Sequence, residues 1–158
     1  MAVDAPKTLG FTEFVEIEAP RLRRALCVAL GRDLGMEGTS EALSYAWEYW
    51  ERVREMENPV GYLYRVGRSR VRGEFRWLRR RGPLFDPAAA DRLPWVEPRL
   101  PGVISRLSEN QRLAVVLRHA FDWTYIEIAD LLGVGVSTVQ KHEERGLHKL
   151  RTGMGVPS

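Results

Sequence analysis

Between Gly82 and Pro98 the chain carries four prolines and three consecutive alanines, with no apolar period. This break limits the fold more than any other feature. On both sides of it, apolar residues recur at steps of three and four, the spacing of a helix that buries one face. No stretch alternates in the manner of a half-buried strand. The expectation is an all-α protein of two small helical domains, residues 11–81 and 99–152, joined by a flexible linker over residues 82–98.

In the first half a helix is expected over residues 11–31, with Phe11, Phe14, Val15, Leu22, Leu26, Ala29 and Leu30 near one face. Pro20 lies inside it, so a kink or break is expected near Ala19. A second helix is expected over residues 39–54, where Leu43, Ala46, Trp47, Trp50 and Val53 form the buried stripe. Asn58-Pro59 reads as an N-cap followed by proline at the first helical position. The third helix then runs over residues 59–80 on a stripe of Val60, Leu63, Tyr64, Gly67, Val71, Phe75 and Leu78, and Gly82-Pro83 ends it. In the second half three serine or threonine caps, Ser108 with Gln111, Thr124 with Glu127 and Ser137 with Gln140, predict a cluster of short helices.

Charge separates the segments more sharply than periodicity does. The net charge is +3. Residues 1–60 hold 7 basic and 11 acidic side chains, residues 82–158 hold 9 of each, and residues 61–81 hold 8 arginines against one glutamate. Arg65, Arg68, Arg72, Arg76 and Arg79 step by 3, 4, 4 and 3 along the third helix, on one face beside the apolar stripe. Like charges so placed repel one another. A polyanion relieves the repulsion and releases its counterions, so phosphate binding is the natural use. Tyr62, Tyr64, Phe75 and Trp77 are interleaved with the arginines, and stacking on bases suits unpaired strands. Tyr64 and Phe75 lie on the apolar stripe and are expected in the core.

The segment Tyr125–Glu144 has the spacing of two helices joined by a tight turn. Ala129 supplies the small residue where the backbones cross. Gly133, four residues on, can take the left-handed conformation the turn requires. Ile128, Leu132, Val134 and Val139 fill the space between the helices. The second helix of such a pair enters the major groove. Ser137, Thr138, Gln140, Lys141 and Glu143 then face bases or phosphates, and Arg145 and Lys149 follow the backbone.

Other chemistries find little support. Cys27 stands alone, so neither an internal disulfide nor a cysteine-rich zinc site can form, and it reads as a small core residue. His142 and His148 are six apart, off the spacing of a helical zinc pair. With no phosphate-cradling loop and no nucleophile–base arrangement, an enzyme, a cofactor and a metal site are not expected. The first ten residues carry one lysine and no apolar run, and no stretch reaches the roughly 20 apolar residues of a membrane span. A cytoplasmic protein is expected.

Together the two motifs resemble the extracytoplasmic-function (ECF) group of bacterial sigma-70 factors, in which a region 2 domain and a region 4 domain flank a linker. Glu57-Asn58-Pro59-Val60-Gly61-Tyr62-Leu63-Tyr64-Arg65-Val66 is similar to the asparagine-proline, aromatic-leucine-tyrosine-arginine motif that opens the −10 recognition helix. Leu107-Ser108-Glu109-Asn110-Gln111-Arg112, Leu117-Arg118 and Arg145-Gly146-Leu147-His148-Lys149-Leu150-Arg151 are similar to the start and close of region 4. The departures are specific. Glu37-Gly38-Thr39-Ser40-Glu41 stands where the family carries an acidic, leucine-valine-glutamine stretch that docks on the polymerase clamp. Ser69 replaces an asparagine that helps hold a flipped base, and Asp122 a turn glycine.

The resemblance implies a subunit that directs core RNA polymerase to promoter DNA and helps open it. Glu37, Glu41, Leu43 and Trp47 would contact the polymerase. A loop near residues 54–58 would capture an unstacked base, with Asn58, Tyr62, Arg65, Arg68, Ser69, Arg72, Arg76 and Arg79 on the −10 element. The recognition helix would read the −35 element. Many sigma factors of this group also have an anti-sigma partner. The alternatives are a transcriptional regulator that uses its helix-turn-helix alone, and a sigma-like adaptor that binds polymerase without recognising promoters.

Overall fold

The computed structural model describes residues 10–73 and 99–157. Among these the chain forms eight helices and no strand: α1 (Phe11–Leu30), α2 (Arg32–Glu48), α3 (Trp50–Val53), α4 (Pro59–Arg70), α5 (Leu100–Ser105), α6 (Glu109–Ala120), α7 (Tyr125–Leu132) and α8 (Val136–Gly153). The all-α expectation holds. The expected linker, 82–98, lies outside the described residues, as do Arg76, Arg79, Phe75, Trp77 and Leu78.

The first half is built on α1, α2 and α4. The expected break at Pro20 does not occur, and α1 runs through it for 20 residues. The missing N–H costs one hydrogen bond, on a side of the helix where Glu16 and Ile17 are exposed. The second helix starts seven residues earlier than its sequence pattern indicates. Gly31, at φ 86°, closes α1 and opens α2 in a single residue. Thr39 is therefore not at the helix start: it is buried in mid-helix, where its hydroxyl donates to the Gly35 carbonyl at 2.7 Å. Gly35 and Gly38 are contact points between helices. A Cβ on Gly35 would lie 2.4 Å from the Cys27 backbone. One on Gly67 of α4 would lie 2.5 Å from the Gly38 carbonyl oxygen. Glycine lets three helix backbones close on each other there, and that approach outweighs its low helix propensity.

Asn58 caps α4 as expected, with its Oδ1 accepting from the Gly61 N–H at 3.0 Å. The helix is interrupted at Val71, which turns into the core, and Arg72 and Gly73 are helical again; the rest of the expected span, 74–80, lies outside the described residues. Leu63 and Tyr64 are buried, as their place on the apolar stripe requires. Trp47 departs from its stripe: it is 68% exposed, held edge-on against Phe11 with centroids 5.0 Å apart.

In the second half Ser108 and Gln111 form the full capping box of α6. Thr124 caps α7 by accepting from the Glu127 N–H at 3.1 Å. Gly133 is left-handed at φ 67°, and its N–H reaches the Ala129 carbonyl. The third expected cap is displaced. Gly135 is the N-cap of α8, so Ser137 lies inside the first turn and makes no capping bond. Asp122 takes a positive φ of 56°, the turn conformation its position calls for and one that aspartate tolerates better than most residues.

The two halves pack on each other, and their buried side chains form one cluster running from Phe14 and Leu26 through Leu63 to Leu117, Ile128 and Val139. Arg112 of α6 is the main polar tie. Only 4% exposed, it donates through Nε to the Val28 carbonyl at 2.7 Å and through Nη2 to the Ala29 carbonyl at 2.6 Å. These carbonyls belong to the last turn of α1, which has no donors of its own, and a cation at that helix end is further favoured by the dipole.

Candidate nucleic-acid interface

In the second half, α7 and α8 form a helix-turn-helix. Ile128, Ala129 and Val139 are buried between them, and Leu132 and Val134 pack at the edge. Gly146 lets α8 lie against α6, where a Cβ would meet Val115 Cγ2 at 2.7 Å. The buried side of α8 is thus Val139, Glu143 and Gly146. Opposite it, Ser137, Lys141 and Arg145 recur at steps of four and are exposed, with Gln140 exposed and Thr138 half-exposed on the flanks. This face is what a recognition helix needs: short polar groups near its N-terminus for base edges, then cations for phosphates.

Two expected members of that face are engaged elsewhere. Glu143 is 8% exposed and points inward, accepting from the Tyr125 hydroxyl at 2.6 Å, with His119 Nε2 at 2.8 Å. It ties the third turn of α8 to the start of α7 and the end of α6, and so sets the angle of the helix rather than touching DNA. Its carboxylate holds the Tyr125 phenol above its ordinary ionisation range. Lys149 donates to Gln111 Oε1 at 3.0 Å, at the start of α6.

The first half presents α4. Arg65, Ser69 and Arg72 are exposed. Tyr62 is half-buried, with its hydroxyl 2.9 Å from that of Tyr45, and its ring lies near the Tyr45 ring. Arg68 is claimed by the second half of the chain. It forms a bidentate pair with Glu109, Nη2 to Oε2 at 2.8 Å and Nε to Oε1. The Glu109 carboxylate also accepts from the buried Tyr64 hydroxyl at 3.0 Å. The hydrogen bond to Glu109 raises the Arg68 pKa further, against the effect of partial burial. Burial, with Glu109 beside it, pushes the Tyr64 phenol well up. Asn58, besides capping α4, donates through Nδ2 to the Asp130 carbonyl of α7.

The four residues expected to contact polymerase lie on two sides of α2. Glu41 pairs with Arg70 of α4 at 3.2 Å, whereas Trp47 packs on Phe11 of α1. Glu37 and Glu41 share one side and Leu43 and Trp47 another, about a third of a turn away. Among the described residues no group of three metal-ligating side chains occurs. No described helix is long and apolar enough to cross a membrane.

The sequence reading missed Glu109 and Arg112 as ties between the halves. The signal for Arg112 was present: a charged residue on the apolar face of α6, which must find partners once buried. Glu109 gave no such signal, because a glutamate at the start of a helix is already explained by the dipole.

These features define a helical protein with a helix-turn-helix in one half and a basic helix in the other. Residues 99–150 match the model of sigma-70 region 4. Among solved structures, the chain resembles the sigma factor RpoE in its co-crystal structure with the anti-sigma factor NepR from Bartonella quintana. The TM-score is 0.63 at 17% identity, over 94% of this chain and 98% of that one. No curated protein sequence matches it. Residues 99–150 are thus a sigma-70 region 4 domain, and the described chain shares the fold of that solved sigma factor.

Proposed function

We propose that the chain directs core RNA polymerase to promoters by reading the −35 element with α8 and engaging the opened −10 element with α4. The observation that carries this is the exposed row of Ser137, Lys141 and Arg145 on the second helix of a region 4 helix-turn-helix. Such a row reaches base edges and phosphates of one groove together. Residues 11–81 then act as region 2, residues 99–152 as region 4, and the span 82–98 as a linker. Extended, that linker could reach about 58 Å, the rise of about 17 base pairs.

On α4, Arg65, Arg68, Arg72, Arg76 and Arg79 hold the strand's phosphates, while Asn58, Tyr62 and Ser69 line the site of an unstacked base. The hydroxyl pair of Tyr62 and Tyr45 fixes the ring that such a base would meet. Ser69 is shorter than asparagine and offers one hydroxyl instead of an amide, so it holds a flipped base with fewer hydrogen bonds. Affinity for the unpaired strand shifts the duplex toward its open form, without turnover or fuel. On α2, the Glu37–Glu41 side and the Leu43–Trp47 side dock on the polymerase clamp. The resemblance to a sigma factor crystallised with an anti-sigma factor supports a similar inhibitory partner for this chain.

The test is association. Purified chain and core polymerase should co-elute at a salt concentration where a helix-turn-helix fragment binding DNA alone would not. Elution of the chain apart from the enzyme at every salt concentration would remove the reading.

A further inference from the structure

Of the two adjacent glutamates in the middle of α8, one turns in and the other turns out. Glu143 is buried against Tyr125 and His119. Glu144, about 100° further round the helix, is exposed. Ser137, Lys141, Glu144 and His148 step by 4, 3 and 4, and all four are exposed. They form one row, opposite the side of Val139, Glu143 and Gly146 through which α8 packs. Glu144 therefore stands on the face offered to DNA, in line with Ser137 and Lys141. The fold makes no use of it. Among the described residues it forms no ion pair, although Lys141 lies only three positions before it.

A carboxylate on such a face is a liability unless a base gives it a donor. It carries acceptor oxygens alone, and the phosphates on either side of a groove repel it. In the major groove only the cytosine N4 and adenine N6 amino groups donate. The adenine amino lies beside N7, an acceptor that opposes the second carboxylate oxygen, which leaves cytosine as the match. The guanine paired with it offers O6 and N7, the acceptors a lysine seeks, and Lys141 stands one turn before Glu144. We infer that Glu144 is a specificity-determining residue that accepts a hydrogen bond from the N4 amino group of a cytosine in the −35 element, with Lys141 on guanine O6 or N7 beside it. The inference rests on the reading of α8 as the −35 helix. Glu144 acts chiefly by refusal: it weakens binding to DNA in general and restores it at one base pair.

The experiment selects duplexes from a randomised library by binding to the full chain, then measures affinity for the selected duplex and for a scrambled one. The wild-type site should contain a C·G pair whose replacement weakens binding about tenfold, the scale of one good base contact. Glu144→Ala should lose the preference at that position alone and bind the scrambled duplex more tightly than wild type, most so at low salt. Glu144→Gln should move the preference there to adenine, since a glutamine amide pairs with N6 and N7 together. Glu16→Gln, exposed on α1, makes the same charge change away from the groove and should alter neither readout. An unchanged site in Glu144→Ala would overturn the inference even if scrambled DNA bound more tightly, because the carboxylate would then only repel. Preferences altered at several positions together would also overturn it, by showing that Glu144 places the helix and reads no base. Failure of the wild type to select any sequence would instead remove the reading of α8 as the −35 helix, and the inference with it.

Discussion

The two helices proposed to face DNA carry similar chemistry in opposite situations. The polar face of α8 is free because the helix packs through its other side, on Val139, Glu143 and Gly146. The polar face of α4 is partly spent, since Arg68 and Asn58 serve contacts between the halves. A side chain that reads a groove from a rigid helix-turn-helix can be exposed at all times, because the duplex supplies its partner ready-made. One meant for an unpaired strand has no such partner until the duplex opens, and in this structure Arg68 is paired with Glu109 instead.

The largest effect that could break this contrast comes from reversing charge on α4. Arg68→Glu with Arg72→Glu should abolish promoter opening, read by permanganate reactivity of unpaired thymines, while polymerase association stays unchanged. Opening at the normal level would remove the assignment of that face.

Arg112→Ala addresses the tie between the halves. Loss of a buried guanidinium that donates to Val28 and Ala29 should lower stability by about 3 kcal/mol in urea unfolding. The wild-type chain, with one shared core, should melt in a single transition followed by both tryptophan fluorescence and circular dichroism. Two transitions in the wild type would mean that the halves are not one cooperative unit.

On the other helix, Gln140→Ala should cost about 1–3 kcal/mol of duplex binding at the cognate −35 site and leave single-strand affinity unchanged. Equal loss on both probes would merge the two interfaces that the contrast keeps apart.

The smallest expected effect is alkaline. Tyr64 ionises well above its usual value of 10.0 because it is buried beside Glu109. Above pH 10 the unfolded chain therefore releases a proton that the folded chain retains, and stability falls as pH rises through that range. Tyr64→Phe should lose about 1 kcal/mol at neutral pH with its hydrogen bond and flatten the alkaline decline, measured by urea midpoints from pH 8 to 11. An unchanged slope would show that Tyr64 is not the group responsible.

Much of the architecture could be read from local signals. The caps at Asn58, Ser108 and Thr124, the left-handed glycine at 133 and the burial of Leu63 and Tyr64 on their stripe depend on neighbours a few residues away. For that reason they appear in the structure as the pattern implies. What escaped the sequence depends on distant partners. The close approach of helix backbones at Gly35, Gly38 and Gly67 cannot be read until the facing backbones are known. Ser137 looks like a cap because Gly135, which caps from backbone shape alone, has no side chain to mark it. Glu143 fits the recognition helix by spacing, yet Tyr125 and His119 turn it inward. The packing of the two halves was the least legible feature. Its ties, Arg112 and Glu109, lie more than 40 residues along the chain from the groups they bind.

The central claim is that this chain chooses where transcription starts. The direct measurement is sequencing of RNA 5′ ends made in vitro from genomic DNA by core polymerase, with and without the purified protein. The account predicts discrete starts that appear only with the protein and share two upstream elements at a fixed spacing. Identical 5′ ends in both reactions would contradict it.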